Sequence, residues 1–386
     1  MRALQIALVV GACGVVLGSV ACGSATQARS TNGAGCRETN AAPAYASAIR
    51  TARPLVRRLA AGLRAPGLSL AVAADGKIVW SVNCGYSNVA ARRPVGDHTR
   101  FRIGSVSKTL TAAALMRYAA VGKVDLDAPI GRYVPSFSAR GSAITLRRLA
   151  GHLAGIRHYE TQAEAVNTRH FDSVTASLAT FANDPLVAPP GTQFAYSSYG
   201  YDVIGAALER ATNESFGALM RQAVLAPAGL NETTLATAPA GRRSSFYELT
   251  SNGKVRTAPP IDLSDRLPAG GFLSTASDLA RFGGALVDGT LVPAASARVM
   301  LTSQKTLAGT QTGYGIGVEV HASPFGKFVG HTGAVDGGTA ALLIHPGSRT
   351  VLALTTNLGY ATAENPPPPR KGTPDPPMVL LPFIKR

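Results

Sequence analysis

Cysteine is scarce in this chain, because the 386 residues contain only Cys13, Cys22, Cys36 and Cys84. They form no Cys-x-x-Cys pair, and the seven histidines are scattered singly along the sequence. Zinc sites require several Cys, His or carboxylate ligands at characteristic spacings. The sequence therefore predicts no metal site.

Acidic residues are also few, with 22 Asp and Glu against 38 Lys and Arg, which gives a formal net charge of +16. Arg50, Arg53, Arg57 and Arg64 form a basic stripe at helical spacing, opposite an apolar face of the same predicted helix. An anionic envelope surface is the partner expected for this stripe, although an ordinary solvated face is the simpler interpretation of any one arginine. Nucleic acid is not expected, because the sequence has no zinc-finger or RNA-recognition signature.

The N-terminus has the pattern of a secretory signal peptide. Arg2 precedes an apolar stretch that ends in Ser19, Val20 and Ala21, with small residues at the two positions that a signal peptidase recognises. This pattern predicts a signal peptide over residues 1–21 and an exported protein. A retained membrane anchor is the alternative, but the apolar segment is rich in glycine and, at about 18 residues, marginal for spanning a bilayer.

Cys22 directly follows the predicted cleavage site. The segment resembles the lipobox of bacterial lipoproteins, in which this cysteine is acylated, although Ser19 stands where leucine is usual. The exported protein is thus expected to be either periplasmic or anchored to a membrane by lipid. If Cys22 carries lipid, Cys36 and Cys84 remain as a pair that an oxidising compartment could join, and otherwise an odd thiol is left over.

The next part of the chain divides by composition into a tether and one large domain. Residues 22–41, rich in Ser, Thr, Asn, Gly and Ala, predict a flexible tether. The domain is expected over residues 42–360, where strand-like runs in 42–104 and 287–360 enclose a mostly helical region at 105–286. This order predicts an α/β fold in which an antiparallel sheet, built from both ends of the domain and flanked by helices, is interrupted by a helical insertion.

The most informative pattern is Ser-x-x-Lys at Ser105 and Lys108, in a segment that is predicted to be helical from Ser105 onward. A serine hydroxyl is a weak nucleophile until a base removes its proton, and positions i and i+3 share one face of a helix. The first turn of a helix also presents free N–H groups that stabilise an oxyanion. A second match, Ser251 and Lys254, is disfavoured because the Asn-Gly between them requires a tight turn.

Further motifs follow in an order that resembles a known enzyme family. Tyr-Ser-Ser at 196–198 precedes a predicted helix, and His-Thr-Gly at 331–333 lies in a predicted strand. Together with Ser-x-x-Lys, they resemble the motifs of the serine β-lactamase and penicillin-binding protein family. The similar branch is that of class C β-lactamases, D-Ala-D-Ala carboxypeptidases, esterases and mitochondrial β-lactamase-like proteins. Segments 151–160 and 270–282 add to a resemblance that extends over residues 42–357 and implies a β-lactamase/transpeptidase-like fold.

The resemblance implies catalysis by acyl transfer, without a cofactor. Ser105 would attack a carbonyl carbon to form an acyl-enzyme, while Lys108 and Tyr196 would pass its proton to the leaving group. A tyrosine can act as a base only if nearby cations lower its pKa from about 10, and Lys108 is the expected cation. The backbone N–H groups of Ser105 and Ala334 would form the oxyanion hole.

Ser198, His331, Thr332 and Gly333 occupy the positions that bind substrate in the family. Ser198 stands where an asparagine is usual, and a hydroxyl has one hydrogen-bond donor where an amide has two. His331 stands where many members have lysine, and a neutral imidazole attracts a carboxylate less strongly than an ammonium does. Both departures weaken the interpretation as a β-lactamase.

The end of the chain departs from the family as well. Within residues 361–386, the prolines between Asn365 and Pro377 predict extended or disordered chain without a regular helix, and the apolar stretch from Met378 to Ile384 is interrupted by Pro382. The C-terminal helix that covers the sheet in the family is not evident in this Pro-rich tail.

The leading hypothesis is an exported serine hydrolase that acts on an amide or ester, with a D-Ala-D-Ala-type peptide as the favoured substrate. An esterase or weak β-lactamase with the same residues is the alternative among enzymes, with a β-lactam or small ester as substrate. A non-catalytic envelope-binding protein on this fold is the alternative of another class, but such a protein would need no Ser-Lys-Tyr set. An α/β-hydrolase is disfavoured, because the sequence has no Gly-x-Ser-x-Gly motif.

Overall fold

The computed structural model describes residues 35–140, 143–360 and 369–384. The predicted signal peptide, Cys22 and most of the predicted tether lie outside these ranges. The strands are β1 (Cys36–Ala41), β2 (Gly67–Ala74), β3 (Lys77–Asn88), β4 (Arg93–Pro94), β5 (Phe101–Arg102), β6 (Thr234–Leu235), β7 (Tyr247–Leu249), β8 (Val255–Thr257), β9 (Phe272–Ser274), β10 (Glu319–Ser323), β11 (Gly326–Val335), β12 (Gly338–His345), β13 (Thr350–Thr356) and β14 (Leu358–Tyr360). The α-helices are α1 (Ala46–Leu63), α2 (Ser107–Ala120), α3 (Leu146–Ala150), α4 (Gln162–Ala165), α5 (Val174–Ser177), α6 (Tyr199–Thr212), α7 (Phe216–Met220), α8 (Leu267–Gly270), α9 (Ala276–Val287), α10 (Ala294–Met300) and α11 (Pro376–Leu380).

The main sheet joins the two ends of the domain. Its strand order is β1-β3-β2-β13-β12-β11-β10, and every neighbouring pair is antiparallel. Asp75 and Gly76 connect β2 to β3, and both have positive φ, as a tight hairpin turn requires. The pairing of β2 with β13 confirms the predicted α/β class, an antiparallel sheet built from both ends of the domain and flanked by helices.

Each face of this sheet is covered by its own hydrophobic core, because side chains alternate between the two faces of a strand. On β2, Leu70 and Val72 pack with α1 and α11 on one face, which we call the back face. Ala71 and Ala73 belong to the core on the opposite face, the front face, which also contains apolar side chains of α2, α6 and α9. The front face therefore holds the helix that follows Ser105.

The predicted tether is wrong in its last part, because Cys36–Ala41 form the edge strand β1. This strand pairs with β3 in a register that places Cys36 opposite Cys84, and the two cysteines are joined by a disulfide. The hydrogen bonds to β3 order a polar segment that composition alone marks as flexible.

The prediction of an extended tail without a helix is also wrong. Pro376 and Pro377 occupy the first turn of α11, where proline is tolerated because its missing N–H has no partner in a helix. Phe383 follows in a short 3₁₀ turn and stacks on Trp80, with ring centroids 5.8 Å apart. Val379, Leu380 and Phe383 thus cover part of the back face of the sheet.

The two predicted regions contain exceptions. Residues 105–286 include the short strands β6, β7, β8 and β9 among the helices, and residues 287–360 include helix α10. These strands have two or three residues each, so their side-chain alternation is too short to be visible in the sequence. Within the described ranges, no helix combines the length and apolar character needed to cross a bilayer.

We expect Phe383→Ala to lower the free energy of unfolding by about 3–5 kcal/mol, because it removes an aromatic ring from the back core. The measurement is urea denaturation followed by far-UV circular dichroism. Met378→Ala in α11 is the matched control, because Met378 is 47% exposed and its truncation should change stability by less than about 0.5 kcal/mol. Equal, small effects of both substitutions would show that the tail does not stabilise the domain.

Candidate active site

Ser105 lies in a 3₁₀ turn, Gly104–Val106, and α2 begins only at Ser107. The predicted helix start at Ser105 is thus two residues early. Gly104 has φ +48°, and a Cβ at this position would lie 2.7 Å from Ala334 N, which is closer than atoms can pack. Similarly, a Cβ at Gly333 would lie 2.9 Å from Ser105 N. The two glycines therefore allow the serine turn to lie directly against β11, which places the backbones of Ser105 and Ala334 side by side.

The Lys108 side chain is fully buried and makes three hydrogen bonds. Its Nζ lies 2.9 Å from Ser105 Oγ, 3.0 Å from Ser198 Oγ and 2.9 Å from the carbonyl oxygen of Ala269 in α8. The structure thus brings Ser105 and Lys108 together as helical spacing predicts. The Ser105 side chain itself is only partly buried, so the hydroxyl remains accessible beside the buried amine.

Burial lowers the pKa of Lys108 from 10.5 to about 7, because an ammonium loses its hydration in the protein interior. Asp202 acts in the opposite direction through its negative charge, and Arg266 adds to the lowering. A neutral amine can accept a proton, whereas an ammonium cannot. Above about pH 7, Lys108 is therefore suited to act as the base that activates Ser105.

Tyr196 is brought to the same place, with its ring centroid 5.0 Å from Lys108 Nζ. The prediction that cations lower its pKa is wrong: burial raises the pKa of Tyr196 above 10, and the Ser105 hydroxyl offsets this only in part. Because Lys108 is itself largely neutral above about pH 7, it does not supply the positive charge that a phenolate would need. At neutral pH the Tyr196 phenol is a proton donor, and Lys108 is the better base.

Of the predicted substrate-binding residues, Ser198 is buried and accepts a hydrogen bond from Lys108 instead of facing open space. His331 is also buried: its Nδ1–H donates to the Thr332 carbonyl, so Nε2 accepts from the Tyr314 hydroxyl at 2.9 Å. Burial lowers the pKa of His331 to about 4, so the imidazole is neutral at pH 7. Roles for Ser198, His331, Thr332 and Gly333 in binding substrate remain predictions.

Two histidines that sequence analysis did not select hold the loop that contains Tyr196. His152 Nδ1 accepts the N–H of Ser197 at 3.1 Å, and His158 Nδ1 accepts the N–H of Ser198 at 3.3 Å. The His152 ring also packs on the Tyr196 ring, with centroids 4.3 Å apart. Both histidines lie in segment 151–160. The resemblance of this segment to the family could have drawn attention to them, but it indicated no role for either residue.

Asp202 is the other residue near Lys108 that sequence analysis missed. It is fully buried in α6, four residues after Ser198, and neither carboxyl oxygen has a hydrogen-bond partner among the described residues. Burial raises its pKa well above 3.8, and the charge of Asp265 adds to this. No motif marks this position, because a single Asp in a helix is ordinarily a solvated residue.

The second Ser-x-x-Lys match, Ser251 and Lys254, lies in the turn between β7 and β8, where Gly253 has φ +76°. These residues therefore share no helical face, as the Asn-Gly sequence predicts. Within the ranges that the structure describes, no group of three or more His, Cys, Asp or Glu side chains is placed to hold a metal ion.

A family profile described as Beta-lactamase matches residues 52–371. The chain belongs to the beta-lactamase family. The family resemblance and the β-lactamase/transpeptidase-like fold predicted from the sequence are thereby confirmed. The family includes serine hydrolases, among them proteins named as penicillin-binding proteins and esterases.

Individual relatives agree with this family assignment. The human mitochondrial serine beta-lactamase-like protein LACTB is 30% identical over 314 residues, which cover 64% of this chain and 57% of that protein. Penicillin-binding protein 4 of Amycolatopsis lactamdurans is 29% identical, over 77% of this chain and 82% of that protein. The crystal structure of SurE with D-Leu has a TM-score of 0.67 and 27% identity, over 81% of this chain and 71% of that one. The chain spans less than two thirds of the length of the mitochondrial relatives that it matches.

We expect the rate at which a fluorophosphonate probe labels Ser105 to rise with pH and level off above about pH 7. The reason is that the Lys108 amine must lose its proton, with a pKa of about 7, before it can accept the serine proton. Below this value the rate should fall about tenfold per pH unit, as for any single ionisation. The second-order rate constant is measured against pH, with Ser105→Ala as the unlabelled control. A midpoint near 10.5, the ordinary lysine value, would contradict the proposed state of Lys108.

Proposed function

We propose that this protein is an exported serine hydrolase that forms an acyl-enzyme on Ser105 with an amide or ester substrate. The observation that carries the proposal is the buried Lys108 amine, which is hydrogen-bonded to Ser105 Oγ at 2.9 Å and has a pKa near 7. The position of this amine against the partly exposed Ser105 hydroxyl, together with a pKa near neutral pH, is what a base that activates a serine requires.

The proposed reaction has two steps. Lys108 accepts the hydroxyl proton as Ser105 Oγ bonds to the substrate carbonyl carbon, and the carbonyl oxygen becomes an oxyanion beside the N–H groups of Ser105 and Ala334. The bond to the leaving group then breaks, with a proton supplied by the Tyr196 phenol and restored to it from Lys108. Water then attacks the ester of Ser105 as Lys108 accepts a proton from the water, and Lys108 returns this proton to Ser105 Oγ as the bond between Oγ and the acyl carbon breaks.

The favoured substrate is a peptide of the D-Ala-D-Ala type. Support comes from the relatives, since one is named a penicillin-binding protein and SurE has been crystallised with D-Leu. A neutral ester is the second candidate, because His331 is neutral at pH 7 and provides no positive charge for a substrate carboxylate. Because His331 is neutral, strong β-lactamase activity, which requires binding of the drug's carboxylate, is the least favoured outcome.

The test combines a fluorescent penicillin, an acetylated D-Ala-D-Ala peptide and a panel of small esters. We expect the wild type to be labelled or to turn over at least one substrate class, and Ser105→Ala to lose all reaction while remaining folded. Removal of the Ser105 hydroxyl should cost at most about 1–2 kcal/mol of stability, because this residue lies in a turn and is not part of the core. Mass spectrometry of the trapped protein should place the added mass on the peptide that contains Ser105.

Ser251→Ala is the matched control, because Ser251 belongs to the other Ser-x-x-Lys match and should leave labelling unchanged. Label on Ser251 would overturn the assignment of Ser105. A wild type that is folded but reacts with none of the three substrate classes would favour the non-catalytic envelope-binding protein instead.

We also propose that Cys22 is acylated and anchors the exported protein to a membrane. Support comes from the small residues before Cys22 and from the disulfide between Cys36 and Cys84, which leaves Cys22 as the odd cysteine of a chain cleaved after Ala21. On α1, Arg50 and Arg57 are exposed, so the predicted basic stripe could add attraction to an anionic surface, whereas Arg53 is paired with Glu38.

Cys22→Ser should therefore release the protein from the membrane fraction or leave it uncleaved. The lipid contributes about 0.8 kcal/mol per buried methylene, so the wild type should resist extraction by high salt, whereas attachment through arginines alone should not. Intact-mass measurement of the mature protein decides whether Cys22 carries lipid. An unmodified chain that begins at Cys22 or later would contradict lipidation.

A further inference from the structure

Exposed apolar side chains beside the candidate active site suggest which substrates it accepts. Among the described residues, the large apolar side chains that are exposed are Val121, Val187, Phe194, Val299, Leu307, Phe325 and Met378. Phe194 is 40% exposed and precedes Tyr196 by two residues, and Leu307 is 69% exposed. Exposure of an apolar side chain to water is unfavourable, so exposed apolar side chains near a site commonly mark a binding surface.

Phe194 is connected to Tyr196 through packed rings. The Phe194 ring lies edge-on to the His152 ring with centroids 5.7 Å apart, and the His152 ring is 4.3 Å from the Tyr196 ring. Phe194 also lies 5.8 Å from the ring of Tyr314, whose hydroxyl is bonded to His331. One side of Phe194 is thus fixed by the rings around the candidate site, and the other side is open to solvent.

Leu307 comes from a different part of the chain and lies against Gly191, three residues before Phe194. It lies in the loop 302–314, whose end carries Tyr314, and its N–H donates to the carbonyl of Gly191 at 2.8 Å. The loop therefore lies along the segment that leads into Tyr196, with Leu307 near Gly191 and Tyr314 near Phe194. Hydrogen bonds between Gln304 and Tyr314 and between Thr306 and Thr310 hold this loop in shape.

We propose that Phe194 and Leu307 form a subsite for a large apolar group on the leaving portion of the substrate. This inference rests on the proposed function, in which Tyr196 gives its proton to the leaving group. A leaving group that meets the Tyr196 phenol is adjacent to the ring cluster that ends in Phe194. The subsite therefore favours an aromatic or branched alcohol or amine over a small one.

The titratable rings between Lys108 and Phe194 agree with an apolar occupant, and the guanidinium of Arg148 borders the surface beside Leu307 and Gly191. Burial lowers the pKa of His158 to about 3 and that of His152 well below 6.5, so both imidazoles are neutral at pH 7. Burial likewise keeps the Tyr196 and Tyr314 phenols protonated. The side chains between Lys108 and Phe194 thus present uncharged rings, which an apolar group can contact without displacing a charge from water.

The test uses methyl, butyl and benzyl esters of N-acetyl-D-alanine, which share one acyl group and therefore form the same acyl-enzyme. Differences in kcat/KM among them report the leaving portion alone. We expect the wild type to prefer the benzyl ester over the methyl ester by roughly tenfold, the scale on which apolar pockets discriminate. Phe194→Ser and Leu307→Ser should each reduce this ratio severalfold, and the double variant should bring it near one.

Phe325→Ser and Val121→Ser are the matched controls for the aromatic and aliphatic substitutions. Phe325 is 52% exposed in the turn between β10 and β11, and Val121 is 69% exposed at the far end of α2. Both should keep the wild-type ratio of benzyl to methyl ester. A thermal melt of each variant checks that it is folded.

The outcomes separate the two proposals. If the wild type hydrolyses all three esters with equal kcat/KM, or if Phe194→Ser and Leu307→Ser keep the wild-type ratio, the subsite is overturned and the serine hydrolase remains. If the folded wild type releases N-acetyl-D-alanine from none of these esters and also fails to react in the substrate panel above, the proposed function itself is overturned.

Discussion

The amine of Lys108 lies in the protein interior, where an ammonium would lose its hydration and where every N–H requires an acceptor. The protein supplies three oxygen partners for this nitrogen from three places in the sequence: Ser105 in the turn before α2, Ser198 just before α6, and Ala269 in α8. One nitrogen atom thus fixes the relative positions of three helices on the front face of the sheet. The same burial that requires these contacts lowers the pKa of Lys108 to about 7, so packing and chemistry have a common cause.

The close contact between the serine turn and β11 is a second constraint, and it depends on the absence of two side chains. Any Cβ at Gly104 or Gly333 would overlap the backbone of the other segment. Because the contact is between backbones, it places N–H groups of the turn and of the strand next to each other without the help of flexible side chains. A preorganised pair of donors of this kind is what a developing oxyanion requires, since no reorganisation is needed as the charge forms.

Features that depend on short stretches of chain could be predicted from the sequence. The Ser105 and Lys108 pair follows from helical spacing, and strand patterns at both ends of the domain predicted one antiparallel sheet. Features that depend on distant contacts could not. The tail is held by packing such as that of Phe383 on Trp80, two residues that are about 300 positions apart in the sequence. The raised pKa of Tyr196 results from burial, which no local sequence pattern indicates.

Burial acts on the titratable groups around Ser105 in one direction, toward their uncharged forms. It lowers the pKa values of Lys108 and His331 to about 7 and about 4, and it raises that of Tyr196. A proton can then move among Ser105, Lys108 and Tyr196 without creating a lasting charge in a poorly hydrated place, which keeps the cost of each transfer small. The neutral ester among the proposed substrates matches this environment directly, whereas the carboxylate of a D-Ala-D-Ala-type peptide would have to be neutralised by a cation outside these buried groups. The burial that prepares the nucleophile therefore also sets a requirement on how the charge of the proposed peptide substrate is neutralised.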